Sequence, residues 1–242
     1  VEGVVPLCQT FDTVGPLCRS VEDAGLMLAL LEGRKPADLT ATSLTGLRFA
    51  ILDTITLDDL RDAPRAAFQS AVERLQAAGA QIVHFEMPEL HDAFSHAFNL
   101  YAADSYGHWR DKVEAAPEKM FPQILERVRG GQSVMGADYV ASWIRMREIR
   151  KIYAALTAGF DAVIMPTAPN LPPNADRLLT DDAYYKSENL LTLRNTRIGN
   201  LMGTASLTLP TGVPSCGILL NSGPDTEEHL LRIGAAAAKA LA

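Results

Sequence analysis

Cysteine is scarce: Cys8, Cys18 and Cys216 are three in 242 residues, widely scattered and in no CxxC pair. An odd, dispersed set does not build a disulfide framework, so reduced thiols and a cytoplasmic setting are expected. Positive charge is short as well, with a formal net charge of −7. Affinity for nucleic acid comes chiefly from clustered Lys and Arg that release counterions, so no nucleic-acid partner is expected. The local basic cluster Arg145, Arg147, Arg150 and Lys151 encloses Glu148 and reads as the solvated face of a helix. No run approaches the ~20 apolar residues of a membrane span. The N-terminus also lacks a basic region followed by an apolar stretch and a cleavage site. A soluble chain with no membrane partner is the expectation. An initiator Met is missing too, and the abrupt Val1-Glu2-Gly3-Val4-Val5 start predicts a chain that begins mid-protein.

The familiar motifs of catalysis are also absent. There is no G-x-S-x-G elbow and no serine in a Gly/Ser-rich turn whose backbone amides could form an oxyanion hole. Ser215, in Val213-Pro214-Ser215-Cys216-Gly217, comes nearest and reads as a turn residue between two strands. Neither G-x-x-x-x-G-K-[ST] nor G-x-G-x-x-G occurs, which leaves a nucleotide site without support. His91 and His96 are five apart and His84, His108 and His229 are isolated, so neither zinc nor a cofactor is expected. Asp92 and His96 read as a surface helix pair, and Asp58-Asp59 and Asp181-Asp182 as solvated carboxylates in loops.

What the sequence does contain is an alternation of strand and helix patterns. Residues 1 to 19 predict two short extended pieces. Ser20 with Asp23 predicts a helix N-cap, and Val21, Ala24, Leu28 and Leu31 recur on one face until Gly33. Leu47–Leu52 reads as a buried strand, Ala63–Ala78 as a helix and Gln81–Phe85 as a second strand. Such a β-α-β unit places its strands parallel. Glu89–Ala115 predicts one or two helices, Pro117 and Pro122 break the pattern, and Gly130-Gly131 marks a loop before a helix over Ala137–Ala158. On that helix Trp143, Met146, Ile149 and Tyr153 form a packing stripe. Asp161–Met165 predicts a strand, and Pro166, Pro169, Pro172 and Pro173 a stiff loop that cannot pair in a sheet. A helix over Glu188–Leu201, strands over Ala205–Leu209 and Gly217–Leu220, and a final helix capped by Asp225 with Glu228 complete the reading.

Three stretches resemble, in order and at similar spacing, segments of amidase-signature enzymes. Phe11–Ala24 is similar to D-x-V-G-P-[LM]-x-R-[ST]-V-x-D-[AV], and Asp161–Pro169 to D-x-[LIV]-[LIV]-x-P-[TA]-x-P. Asn200–Gly212 is similar to N-x-x-G-x-P-[AG]-x-[ST]-x-P-x-G, departing from it at Met202-Gly203-Thr204-Ala205. The resemblance implies the C-terminal portion of an α/β/α sandwich, a mixed β-sheet flanked by helices, with 1–242 as a single α/β region. That family breaks carboxamides with a lysine, a bridging serine and a nucleophilic serine, all upstream of the Asp-x-Val-Gly-Pro segment. No G-G-S-S-G-G-S-like run occurs here, so no catalytic residue is expected in the chain. In glutamine-using relatives an arginine and an aspartate hold the substrate's amino-acid end. The resemblance carries the arginine onto Arg127, whereas Leu193 stands where the aspartate would be. An apolar side chain cannot pair with an ammonium group, which argues against a glutamine substrate and a tRNA amidotransferase role. Thr167 and Asn200 are further substrate-binding candidates. Asp23 reads as a first-turn acid on the helix dipole and Arg19 as an ion-pair partner at a buried edge.

Together these readings predict the substrate-pocket half of an amidase that releases acid and ammonia from a small carboxamide, inactive alone. The alternative is a non-catalytic fragment or interaction module. The expected partners are a small amide, bound only when an N-terminal half completes the site, and a second copy held through an open sheet edge or apolar face.

Overall fold

Val, Ile, Leu and Phe crowd the predicted strands because both faces of the sheet they form are covered. The computed structural model describes residues 2–40 and 42–242. Its five strands are β1 (Arg48–Leu52), β2 (Gln81–Phe85), β3 (Ala162–Pro166), β4 (Ala205–Pro210) and β5 (Gly217–Ser222), in the order β2-β1-β3-β5-β4. β1 is parallel to β2, with Arg48 opposite Gln81, and to β3, with Phe49 opposite Ala162. β5 runs antiparallel to both β3 and β4, so the sheet is mixed. Helix α2 (Asp62–Ala77) joins β1 to β2 in the predicted crossover.

Alternation along each strand sorts the side chains onto the two faces. On one face Phe49, Ile51, Ile164 and Leu220 join a core cluster with Phe68 and Leu75 of α2 and Leu230 and Ile233 of α9 (Glu227–Leu241). Ala50, Leu52, Val163, Met165 and Leu219 alternate with them and are buried on the other. Each large apolar side chain so buried contributes about 1.5–3 kcal/mol, which makes this cluster the main source of the sheet's stability. Helix α1 (Val21–Glu32) begins where the sequence places it: Ser20 Oγ accepts the Asp23 amide at 3.1 Å. It ends at Gly33, whose φ of +65° suits a residue without a Cβ.

The chain divides into two units, residues 16–88 with 153–242, which carry the sheet, and residues 2–15 with 89–152. The sheet unit also holds α6 (Ala175–Thr180), α7 (Asp182–Thr192) and α8 (Arg194–Met202). The second unit is helical, built from α3 (Glu89–Ala115), α4 (Pro122–Gly130) and most of α5 (Gly136–Thr157). Its N-terminal segment packs through Phe11, which stacks on Trp143 at 5.1 Å and tilts against Tyr101 at 4.6 Å. Met146, Ile149 and Tyr153 of the predicted stripe are buried.

Several local expectations are corrected. Before α1 the described residues form no strand: residues 7–11 turn, with the Asp12 carboxylate collecting the Leu7 and Cys8 amides at 2.9 and 3.1 Å, and residues 12–18 have no regular secondary structure. Pro166 lies within β3, opposite Ile218. The next amide, of Thr167, points to Gly217 O, so the missing N–H of Pro166 faces the β1 side, beyond the last β1–β3 pair at Ile51–Ile164. Pro122 opens α4 instead of breaking a helix, since the first helical position needs no N–H. Asp181 is not merely solvated: its Oδ1 caps α7 by accepting the Tyr184 amide at 2.9 Å. The predicted Glu188–Leu201 helix is divided at Leu193 between α7 and α8. Asp225 sits at φ +58° ahead of α9, and Thr226 occupies the cap position without capping, its hydroxyl bonded to Gly223 O. Arg19 is exposed, away from any buried edge. Arg150 is half-buried, its guanidinium 5.9 Å from the Phe11 ring and 5.6 Å from that of Trp143, so this part of the basic cluster is a packing group.

Candidate functional site

In open α/β sheets, ligands bind outside the carboxyl ends of parallel strands, where neighbouring strands send their connections in opposite directions. Here β1 leads outward to β2 while the chain after β3 goes to the β4–β5 side, so that point lies between β1 and β3. Asn195 of α8 is fully buried there, and its Nδ2 donates to Pro166 O at 2.7 Å and Thr56 O at 3.1 Å. Arg194 donates to the Thr56 and Asp58 carbonyls, and burial lowers its pKa. The Thr56 hydroxyl in turn donates to Leu52 O. These bonds hold a loop in which Ile55 adopts φ +69°, a left-handed conformation costly for a β-branched residue.

Beside this loop is an open cleft of about 430 Å³, lined by Arg61, Asn170, Pro172, Pro173, Arg177 and Glu188 among others. Glu188, 13% exposed, accepts from Arg61 at 3.0 Å and from Asn170 Nδ2 at 2.8 Å. Asn170 is buried and also bonds the Thr192 hydroxyl at 3.0 Å. The Arg61 amide donates to Pro169 O at 2.9 Å, which ties the start of α2 to the proline-rich loop. Arg177 pairs with Asp181 at 3.0 Å and lies 3.9 Å from the Tyr184 ring centroid. The arrangement supplies charge, donors and an apolar wall for recognition, and no nucleophile beside a base.

The sequence-predicted residues fall at different places. Thr167 follows β3 directly; its amide donates to Gly217 O at 2.9 Å and its hydroxyl to Thr208 at 3.4 Å. Asn200 lies near the C-terminus of α8, five residues past Asn195, so about 7.5 Å further along the helix axis. It is Asn195 that meets the carboxyl end of β3. Arg127 belongs to α4 of the helical unit, where it is half-buried. Gly130 ends α4 instead of marking a loop, and Gly131 is a close approach of backbones, since a Cβ there would lie 2.0 Å from Ala102 O. No sequence signal marks Arg61, Arg177 or Glu188, whereas the polar Arg194-Asn195-Thr196 triplet inside an apolar helix pattern could have drawn attention to Asn195.

The helical unit contains a triad-like array on α3 and α5. Ser142 Oγ is 3.0 Å from His96 Nδ1, and His96 Nε2 is 3.3 Å from Asp92 Oδ1. Hydrogen bonding from Arg145 holds the Asp92 carboxyl below its usual range. Ser142 is 1% exposed, and its neighbouring amides are committed within α5, so nothing nearby could receive a substrate or an oxyanion. All the lysines, Lys35, Lys112, Lys119, Lys151, Lys186 and Lys239, are exposed, which rules out a buried Lys–Ser relay among them. No group of His, Cys, Asp and Glu among the described residues could hold a metal ion, and no described helix is long and apolar enough to cross a membrane.

Comparison with known proteins agrees with this architecture. A family model described as Amidase matches residues 1–231. The chain is 31% identical to 2-amino-5-chloromuconic acid deaminase of Comamonas testosteroni, across 96% of this chain and 52% of that protein. It is 26% identical to an amidase of Pseudomonas putida, across 98% and 55%. A crystal structure of an amidase superposes with a TM-score of 0.83 at 21% identity, covering 100% of this chain and 56% of that one. The chain thus spans about half the length of the curated relatives it matches. With its mixed sheet, flanking helices and ordered motifs, this chain belongs to the amidase family.

Proposed function

We propose that these 242 residues form the substrate-pocket half of a hydrolase that releases ammonia and a carboxylic acid from a small carboxamide. The family match over residues 1–231 carries the reading. In the proposed enzyme a lysine poises a bridging serine to take the proton of a nucleophilic serine, and backbone amides hold the tetrahedral oxyanion. Those groups belong to polypeptide outside this sequence. The cleft and the Asn195-braced loop supply the wall against which the amide is oriented. A small organic acid is the kind of molecule named for the Comamonas relative, which supports a small substrate here. Leu193, 44% exposed between α7 and α8, offers no charge to an ammonium group and weighs against glutamine. Three free cysteines support a cytoplasmic setting.

Sequencing of the coding region ahead of Val1 tests the proposal. An in-frame lysine followed by a Gly/Ser-rich double-serine loop is expected; a stop codon or initiation codon there would instead make this a module without turnover.

A further inference from the structure

We propose that the cleft beside Asn170–Pro173 is a carboxylate-binding subsite, where Arg61 and Arg177 hold the acid group of a ligand whose short apolar body lies on Leu171, Pro172 and Pro173. This rests on reading the carboxyl end of the sheet as the substrate-facing side. Arg61 donates one side-chain hydrogen bond, to Glu188, and its side chain is 59% exposed, so most of its five N–H donors are open to the cleft. Arg177 is placed similarly: one bond goes to Asp181, the side chain is 58% exposed, and its plane rests on Tyr184. The Tyr184 hydroxyl accepts the Asn174 amide at 3.0 Å and keeps its own proton to donate.

The charges select the ligand class. Arg61 and Arg177 are each already paired with one carboxylate, Glu188 and Asp181, so the four groups are neutral together and a ligand is held through the remaining guanidinium N–H donors, which suits a monoanion better than a multiply charged one. Glu188 is fixed by Asn170 and cannot swing away, so a more highly charged phosphate would meet a standing carboxylate. A planar carboxylate also matches the forked guanidinium geometry. The prolines and Leu171 offer an apolar surface that a free inorganic anion would not use.

Calorimetric titration of the 242-residue chain with hexanoate, hexanamide and inorganic phosphate tests this. Saturable hexanoate binding is expected, at least tenfold tighter than that of hexanamide or phosphate. Arg61→Gln and Arg177→Gln should each weaken hexanoate about tenfold, the loss of a charged hydrogen bond. Arg61→Lys should weaken it less, and Glu188→Gln, which removes the competing carboxylate, should strengthen it. Equal affinity for acid and amide, tighter phosphate binding, or indifference to both arginine substitutions in variants of unchanged circular dichroism would overturn the assignment. No turnover is read, so failure here leaves the hydrolase reading standing. Conversely, a longer polypeptide without hydrolase activity would leave this binding result in place.

Discussion

Asn195 is the clearest case of a single side chain joining separate parts of the sheet unit. One amide group satisfies the Thr56 carbonyl, in the loop after β1, and the Pro166 carbonyl, at the end of β3. Replacing it by leucine keeps the volume and strips both bonds, leaving the Pro166 carbonyl unsatisfied while Thr56 O keeps only Arg194; a loss of about 1–3 kcal/mol in urea unfolding is expected. A second residue-scale prediction concerns Asp104. Burial acts to raise its pKa, but donation from Thr10 at 2.7 Å and from Cys8 outweighs this and holds the carboxyl below its usual range. A folded-state value below the unfolded ~3.9 means that the ionised group stabilises the protein above that pH. That contribution fades as pH falls through the folded value. Asp104→Asn should therefore destabilise the chain near neutrality, with the difference from the parent shrinking in acid titrations below about pH 4. Neither role was legible in the sequence, because each depends on partners far along the chain: Asn195 bonds a carbonyl 139 positions away and Asp104 a threonine 94 away.

At the scale of elements, far more could be read in advance. The β1–α2–β2 crossover and the Ser20 and Gly33 caps were recognisable because periodicity and capping are local properties of the chain. One group of failures came from proline or glycine read without its position; others, such as the helix divided at Leu193 and the cap formed by Asp181, came from breaks and side-chain bonds that periodicity does not show. Pro122 suits a first helical turn, Pro166 a strand end whose N–H has no partner, and Gly131 a crossing of backbones. The last of these gives a sharp prediction. Gly131→Ala places a methyl group against the Ala102 carbonyl, and the helical unit should lose about 1–3 kcal/mol, the usual cost of overpacking. Gly136→Ala, with nothing within 4 Å of the new methyl, should be neutral or slightly stabilising. Equal thermal midpoint shifts for the two variants would show that Gly131 is conformational and not a packing contact.

For the whole chain, the family was legible because three motifs kept their order, and the mixed sheet agrees with it. The cleft was not, since Arg61 and Glu188 lie 127 positions apart and only the completed sheet brings them together. The lining of the cleft holds no nucleophile beside a base, and the serines nearest to catalytic company, Ser142 and Ser215, are respectively sealed in a helix and set in a turn. The division of labour proposed above therefore rests on ammonia release. Purified chain of 242 residues, assayed with a panel of small carboxamides, is expected to release no more ammonia than the buffer. Release at an enzymatic rate that persists after Ser142→Ala and Ser215→Ala would contradict the account, because the bond-breaking groups would then lie within this sequence.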